Sequence, residues 1–221
     1  MPFWLALAGI LAVGCGRISF DPWNDGGVRD ASLDGITDGP TAAFDDFNRP
    51  DSSTVGPNWT TVGGALARLP AVSAGRATCC ATVANDESTA LWVTAFAADQ
   101  FSQITLIGTS DDVLGAIVRG STTDDTLYFC GMDMNNFGDR RVRIVRWLSH
   151  TAVTLATGTA TLVSGDVVRL AILGTTLTCS LNGAAVLTTA DPNIPEGRSG
   201  FFVLSAATGG AAVDDWSGGR L

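Results

Sequence analysis

The strongest constraint on the fold is an alternation of apolar and polar residues between positions 167 and 187. This period of two is typical of half-buried β-strands. Gly174-Thr175 and Asn182-Gly183 interrupt it, and Asn-Gly accepts the positive φ values of a two-residue hairpin. The segment therefore predicts a three-stranded antiparallel meander, in which Cys179 shares the core-facing side with Leu177 and Leu181.

Short apolar stretches separated by turn residues continue through the chain beyond residue 42, at intervals typical of sandwiches and barrels. The 26 glycines and the many threonines favour strands and tight turns over helices, so we expect an all-β fold. Further strands are predicted at Ala65–Leu69, Ala77–Val83, Ala90–Ala97, Gln103–Gly108, Leu114–Arg119, Thr126–Met132, Arg141–Leu148, Val153–Thr157 and Gly200–Ser205.

Two similar segments lie at the ends of the predicted domain. Ala42–Phe47 reads AAFDDF, and Ala211–Trp216 reads AAVDDW. We predict that these segments pair as neighbouring antiparallel strands, so that the two ends of the domain meet. Trp59, Trp92 and Trp216 lie in strand contexts and are predicted to belong to the core.

Several of these segments resemble a known family. Phe44–Arg49, with Val55-Gly56 and Trp59, resembles the opening motif of bacterial concanavalin A-like, laminin G-like jelly rolls. Gly165–Leu170, Leu177–Gly183, Gly197–Phe201 and Val213–Trp216 resemble the closing strands of that family. The resemblance covers roughly residues 43 to 218 and implies an antiparallel two-sheet jelly-roll sandwich. In this family one concave sheet often binds glycans, whereas other members serve only adhesion or spacing.

The N-terminus resembles an export signal. Residues 2–14 form an uncharged apolar run, too short to span a bilayer core of about 30 Å but suited to a short signal helix. Leu11–Cys15 resembles the lipobox of bacterial lipoproteins, in which the cysteine is lipidated and becomes the mature N-terminus. We therefore predict a signal peptide at 1–14 and lipidation of Cys15, which would place the protein in the bacterial cell envelope. A buried N-terminal element with a free thiol is the alternative.

Residues 15–42 are predicted to be an acidic, disordered linker, followed by the sandwich domain at 43–221. Five aspartates recur between positions 21 and 38 among Gly, Ser and Pro, with too few apolar residues to form a core. Spaced carboxylates can bind calcium, although the segment lacks the ligand rhythm and closing glutamate of a helix-loop-helix site. Structural calcium therefore stays possible but not indicated, and no cofactor is expected.

The formal net charge of −9 bears on the possible partners. Nucleic acid requires a basic face, and anionic lipid attracts basic segments, so both are disfavoured as electrostatic partners. Attachment to a membrane is therefore expected through the N-terminal lipid only.

The sequence contains no recognisable catalytic set. Retaining glycosidases need two carboxyl groups about 5 to 5.5 Å apart, but the only glutamates, Glu87 and Glu196, lie far apart in the chain. Asp45–Asp46 and Asp214–Asp215 form a possible aspartate pair, for which we favour a structural role as solvated or turn-capping carboxylates. His150, the sole histidine, lies in a predicted turn without a Gly-x-Ser-x-Gly elbow, so we expect a surface histidine and a non-catalytic protein.

Four cysteines follow Cys15 and permit two disulfides in an oxidising compartment. They are Cys79, Cys80, Cys130 and Cys179. A bridge between the adjacent Cys79 and Cys80 would be strained, so our hypothesis is that at least one of them joins Cys130 or Cys179. Buried, unpaired thiols are the alternative.

Aromatic rings beside amide or carboxylate oxygens are what sugar recognition uses, and two places qualify: the loop at 131–139 and the Arg-rich strand that ends at Trp147. The candidate ligand-binding residues are Asp133, Asn135, Asn136, Asp139, Arg143 and Trp147. Their alternative roles are turn formation and cover for a sheet edge. We predict a surface-displayed, non-catalytic module whose favoured partner is a glycan. The alternatives are a structural or adhesive module that contacts a cell-surface protein and, third, a glycoside hydrolase or lyase on the same fold.

Overall fold

Most of the predicted strands are present in the computed structural model, which describes residues 41–64, 67–79, 86–108, 112–132, 140–205 and 210–221. The described residues contain no α-helix. In chain order the strands are β1 Ala42–Asp45, β2 Trp59–Thr60, β3 Ala71–Ser73, β4 Arg76–Thr78, β5 Asp86–Trp92, β6 Gln100–Ile107, β7 Val113–Gly120, β8 Leu127–Gly131, β9 Arg141–Leu148, β10 Thr151–Thr161, β11 Val167–Leu173, β12 Thr176–Leu181, β13 Ala184–Ala190, β14 Arg198–Ser205 and β15 Ala212–Arg220.

These strands form two antiparallel sheets. Sheet A has the order β13-β12-β11-β6-β15-β4-β3, and β1 also pairs with β15. Sheet B has the order β10-β9-β8-β7-β14-β5-β2. The main hydrophobic cluster contains residues from both sheets, among them Ile104, Leu170 and Phe201. The chain is therefore the all-β, two-sheet sandwich that the alternation and the family resemblance predict.

The two ends of the domain meet as predicted. β1 pairs antiparallel with β15, with Ala42 opposite Gly219 and Asp45 opposite Trp216. β15 pairs with β6 along its other edge. The last strand therefore lies in the interior of sheet A and is held on both sides.

One strand begins earlier than the sequence predicts, because two of its buried residues are polar. The strand predicted at Ala90–Ala97 is β5, and it lies earlier, at Asp86–Trp92. Thr89 and Ser88 are fully buried, but both hydroxyls have partners: Thr89 Oγ1 accepts a hydrogen bond from Val62 N at 3.1 Å, and Ser88 Oγ lies 3.4 Å from Cys79 Sγ. These distant partners cannot be read from local periodicity. The strand predicted at Ala65–Leu69 is wrong over residues 67–69, which have no strand conformation.

A disulfide between Cys130 on β8 and Cys179 on β12 links the two sheets through the core. Their Cα atoms are 6.2 Å apart. The hypothesis that Cys79 or Cys80 joins one of them is therefore wrong, because the inward faces of β8 and β12 bring Cys130 and Cys179 directly together. Cys79 is also disulfide-bonded, and Cys80 lies outside the described residues.

The three tryptophans predicted to lie in the core form one aromatic group. The rings of Trp59 and Trp216 lie 4.6 Å apart, and those of Trp92 and Trp216 are stacked at 5.2 Å. Trp216 is fully buried, and its Nε1 donates a hydrogen bond to Ser102 Oγ at 3.0 Å. This prediction is confirmed, and the group packs the start of the domain against its last strand.

The strands belong to a compact unit at Asp38–Leu221. The predicted signal peptide, Cys15 and the linker up to residue 40 lie outside the described residues. Within the described ranges, no helix is long and apolar enough to cross a membrane.

Candidate functional site

Two of the predicted ligand-binding residues can be located, and both lie on β9 of sheet B. Arg143 and Trp147 are four residues apart and therefore share the face of the sheet that points away from the main core. Arg143 is buried, with 6% of its surface exposed, and Trp147 packs 6.4 Å from the ring of Phe202. Asp133, Asn135, Asn136 and Asp139 lie outside the described residues.

The outer face of sheet B is itself a hydrophobic core. Its buried cluster contains Val62, Leu91, Val113, Ile117, Leu127, Phe129, Val145, Phe202 and Leu204. The segment around Val62 runs over this face, where Val62 N bonds Thr89 Oγ1 and Gly63 N donates to Ser121 O at 3.2 Å. Arg143 and Trp147 thus border a covered apolar surface and are not part of an open aromatic platform.

The sole histidine contacts a buried carboxylate beside this face. The turn residues Ser149 and His150 both have positive φ, and His150 Nδ1 contacts the carboxylate of the buried Asp125. His150 and Asp125 also act on a third titratable residue, Glu87. Burial raises the pKa of Glu87, the charge of His150 opposes this rise, and the charge of Asp125 adds to it. The His150 side chain is 66% exposed, as expected of a surface histidine, but Asp125 fixes its orientation.

The aspartate pairs at the domain ends have separate roles. Both oxygens of Asp45 accept hydrogen bonds from Arg49, at 2.6 and 3.0 Å, and Trp59 Nε1 donates to Asp45 Oδ2 at 2.8 Å. Burial would raise the pKa of Asp45, but the hydrogen bonds from Arg49, Trp59 and Phe47 outweigh it and hold the pKa below its usual value. Asp45 is therefore an anchor of the opening loop and is not a solvated carboxylate.

The other three carboxylates influence one another. Burial, Asp214 and Asp46 together raise the pKa of Asp215. Asp214 lies 3.6 Å from Arg76, and Asp46 Oδ1 accepts a hydrogen bond from Asn48 N, as a turn-capping residue does. Among the described residues, no three His, Cys, Asp or Glu side chains are grouped so that they could hold a metal ion.

The outer face of sheet A carries a polar and aromatic row that crosses five strands. Ser180 pairs with Arg169, Arg169 with Gln103, Gln103 with Ser217, and Ser217 with Phe44. Directly paired residues share a face, and neighbouring strands lie about 4.8 Å apart, so the row spans about 19 Å. We call these five residues, Ser180, Arg169, Gln103, Ser217 and Phe44, the cross-strand row.

Arg169 is held in place by an aromatic ring. Its guanidinium lies 3.6 Å from the ring centroid of Phe101, which is a close cation–π contact. Burial lowers the pKa of Arg169, but an arginine side chain stays protonated in proteins. The row therefore presents a charged, planar set of N–H donors in a fixed position.

Small residues make the surface next to the cross-strand row shallow. Ala171, Gly219 and Ala42 pair across the sheet with Phe101 or with each other. Phe44 rises beside them with 60% of its surface exposed. An open phenyl ring next to amide, hydroxyl and guanidinium groups can contact the C–H face of a sugar and hydrogen-bond its hydroxyls.

The alternation of apolar and polar residues could have identified part of the cross-strand row, although none of its five residues is among the predicted ligand-binding residues. Arg169 alternates with the inward Val168 and Leu170, which places it on the outer face. The pairing of Ala42–Phe47 with the last strand is also predicted from the sequence. The order of β11, β6 and β15 in sheet A is what brings the row together, and no local pattern gives that order.

Comparison with known proteins is informative about the fold. No protein-family model and no curated protein matches the chain. A carbohydrate-binding module from Bacillus subtilis matches with a TM-score of 0.53 and 14% identity, covering 72% of this chain and 91% of that one. A Bacillus subtilis protein of unknown function with a galectin-like fold has a TM-score of 0.51, with 10% identity over 81% of this chain and 89% of that one.

An enzyme shares the same architecture. The apo Crh5 transglycosylase matches with a TM-score of 0.52 and 11% identity, covering 82% of this chain and 85% of that one. At such identities the likeness extends to the fold alone. The class defined by fold and neighbours is a jelly-roll or galectin-like β-sandwich.

Proposed function

We propose that this protein is a non-catalytic carbohydrate-binding module that binds an extended glycan across sheet A. The observation that carries the proposal is the cross-strand row, in which Phe44 offers an open ring and Arg169 is fixed against Phe101. The similarity in fold to a carbohydrate-binding module supports it. The row is open, whereas the outer face of sheet B is covered.

The donors and acceptors of the row suit a neutral or weakly acidic glycan. Gln103 supplies one amide, Ser180 and Ser217 supply hydroxyls, and Arg169 supplies the only charge of the five residues. A strand spacing of about 4.8 Å repeats these groups at intervals close to the length of a sugar unit. An extended chain running across the strands would therefore meet a new polar group at each unit.

A glycan array followed by calorimetry with the tightest glycan tests the proposal. Phe44→Ala and Arg169→Gln should each weaken binding about tenfold or more, since loss of a stacking ring or of a charged hydrogen bond costs about 1.4 kcal/mol or more. Thr154→Ala, an exposed change on β10 of sheet B, should leave affinity unchanged. Silence across bacterial, plant and host glycans would instead favour the structural or adhesive alternative.

We also propose that Cys15 carries a lipid that tethers the module to the cell envelope. The support is the apolar run of residues 2–14 that ends in Val13-Gly14-Cys15. Palmitate labelling in a bacterial host should be present in the natural chain and absent in Cys15→Ser. Equal labelling of both chains, or none in either, would contradict the proposal.

A further inference from the structure

A second recess lies at one end of the sandwich, away from the cross-strand row. Its volume is about 400 Å³, within the range of small-ligand sites. Three connections line it: the one between β5 and β6, the one between β7 and β8, and the one between β13 and β14. We call it the end cleft, and its lining residues are Ala95, Phe96, Ala98, Gly120, Ser121, Thr122, Glu196, Gly197 and Arg198.

One buried amide joins the walls of the end cleft. Gln100 is fully buried, and its Nε2 donates hydrogen bonds to Ala97 O at 2.9 Å and to Gly197 O at 3.1 Å. Its Oε1 accepts hydrogen bonds from Ser199 Oγ at 2.7 Å and from Arg119 N at 3.3 Å. A single side chain thus ties together all three connections, because Arg119 directly precedes the wall residue Gly120.

Arg119 forms further hydrogen bonds to two of these connections. It is almost fully buried, and its Nε donates to Ala98 O at 3.0 Å while Nη1 donates to Ile194 O at 2.8 Å. Gly197 has a φ of 148°, and a Cβ at this position would overlap the backbone of Arg119. The shape of the cleft therefore depends on contacts that exist without a ligand. Binding a ligand would cost little conformational entropy, because the cleft is already ordered.

The lining combines opposite charges, hydroxyls and one aromatic ring. Glu196 is exposed and offers a carboxylate, and Arg198 is held by a hydrogen bond from its Nη1 to Trp92 O at 3.3 Å. Ser121 and Thr122 add hydroxyls to the lining, and Phe96 adds an apolar ring. Carboxylate acceptors and guanidinium donors bind adjacent hydroxyls well, because charged hydrogen bonds are the strong ones.

We infer that the end cleft binds a single sugar unit at the end of a glycan. Residues from three connections line the cleft, and its volume is near the lower limit for ligand sites, so it suits one unit better than the interior of a chain. The inference rests on the proposed function for the class of ligand, but none of its residues belongs to the cross-strand row. The row would contact the length of a glycan and the cleft its terminal unit.

Ligand-observed NMR and calorimetry with simple sugars test the inference. The probes are methyl glycosides of glucose, galactose, mannose, fructose and N-acetylglucosamine. At least one should bind the full chain, and Glu196→Gln and Arg198→Gln should each weaken that binding about tenfold. Thr154→Ala is the matched control, and thermal melting checks that each variant is folded.

The two proposals fail in different ways. If no methyl glycoside binds, or if the bound one keeps its affinity in both cleft variants, the end cleft is not a sugar site. If a longer glycan keeps its affinity in Phe44→Ala and Arg169→Gln, the cross-strand row is not its binding surface. The variants in one site do not touch the other, so each result is assigned to one site.

Discussion

The outer faces of the two sheets differ in what lies over them. On sheet B the residues facing away from the main core are apolar, and rings such as Phe129 and Phe202 pack 5.8 Å apart under a crossing segment. On sheet A the cross-strand row is polar or aromatic, small residues lie beside it, and its one ring, Phe44, is 60% exposed. The same sandwich therefore uses one outer face for stability and leaves the other for contacts.

This difference shows why an aromatic residue in a strand is a weak indicator of a ligand site. Trp147 and Phe44 both lie on outward faces, but Trp147 packs against Phe202, whereas 60% of the Phe44 surface is exposed. A ring that contributes to packing is not free to contact a sugar. The four predictions below test whether the two faces differ in this way, in order of expected effect.

The largest effect is expected from removing a ring of the covered face. Phe202→Ala should lower the free energy of unfolding by about 3 to 5 kcal/mol, because it leaves a cavity between sheet B and its cover. Phe44→Ala should change it by less than about 0.5 kcal/mol, as for other exposed sites. Urea unfolding of both variants is the measurement, and equal losses would show that the faces do not differ.

The disulfide that joins the sheets should come next. Replacing both Cys130 and Cys179 with alanine should lower the free energy of unfolding by about 2 to 4 kcal/mol, since the bridge closes a separation of 49 residues. The double variant removes both thiols, so mispaired thiols do not complicate the urea curve. An unchanged unfolding midpoint would contradict a bridge through the core.

A smaller loss is expected where a glycine lies under a ring. Gly115 is opposite Gly131, and the ring of Phe129 lies so close that a Cβ on either glycine would overlap it. Gly115→Ala should cost about 1 to 3 kcal/mol through overpacking. Thr178→Ala on the open face is the control and should be close to neutral. A neutral Gly115→Ala would mean that Phe129 is not packed down on sheet B.

The smallest effect concerns the Asp45 carboxylate at the end of β1, and it depends on pH. Asp45 has a lowered pKa in the folded chain, so its contribution to stability is present above its ordinary pKa of 3.8 and is lost as the pH falls through the folded value. Asp45→Asn should cost about 1 kcal/mol at neutral pH.

The matching measurement is urea unfolding of both chains across the acid range. The difference between the natural chain and Asp45→Asn should shrink as the pH falls below the ordinary aspartate value. Because β1 carries Phe44 on its other side, a constant difference at all pH values would mean that Asp45 does not anchor this strand as a carboxylate.

Local alternation was sufficient to predict most strands, and the similarity of Ala42–Phe47 to Ala211–Trp216 was sufficient to predict the pairing of the domain ends. Alternation fails at β5, where Ser88 and Thr89 are buried polar residues whose partners, Cys79 and Val62, come from distant segments. The pairing of Cys130 with Cys179 is likewise set by how the sheets face each other. Such contacts follow from tertiary packing, which periodicity does not encode.

The candidate sites show the same limit. The outward direction of Arg169 is predictable from its apolar neighbours, but its contact with Phe101 requires β6 and β11 to be adjacent. The end cleft depends on Gln100 and Arg119, two buried polar residues that resemble ordinary strand residues in the sequence. A covered face and an open face also have similar alternation, because the cover comes from elsewhere in the chain.

The most direct test of the open-face claim is an NMR titration of the labelled domain with the tightest oligosaccharide from the array. The account predicts that amide shifts change along the cross-strand row, at Phe44, Gln103, Arg169, Ser180 and Ser217, while those of Leu91, Ile117 and Phe202 on sheet B stay in place. Shift changes concentrated on the outer face of sheet B, or none along the row at saturation, would contradict it.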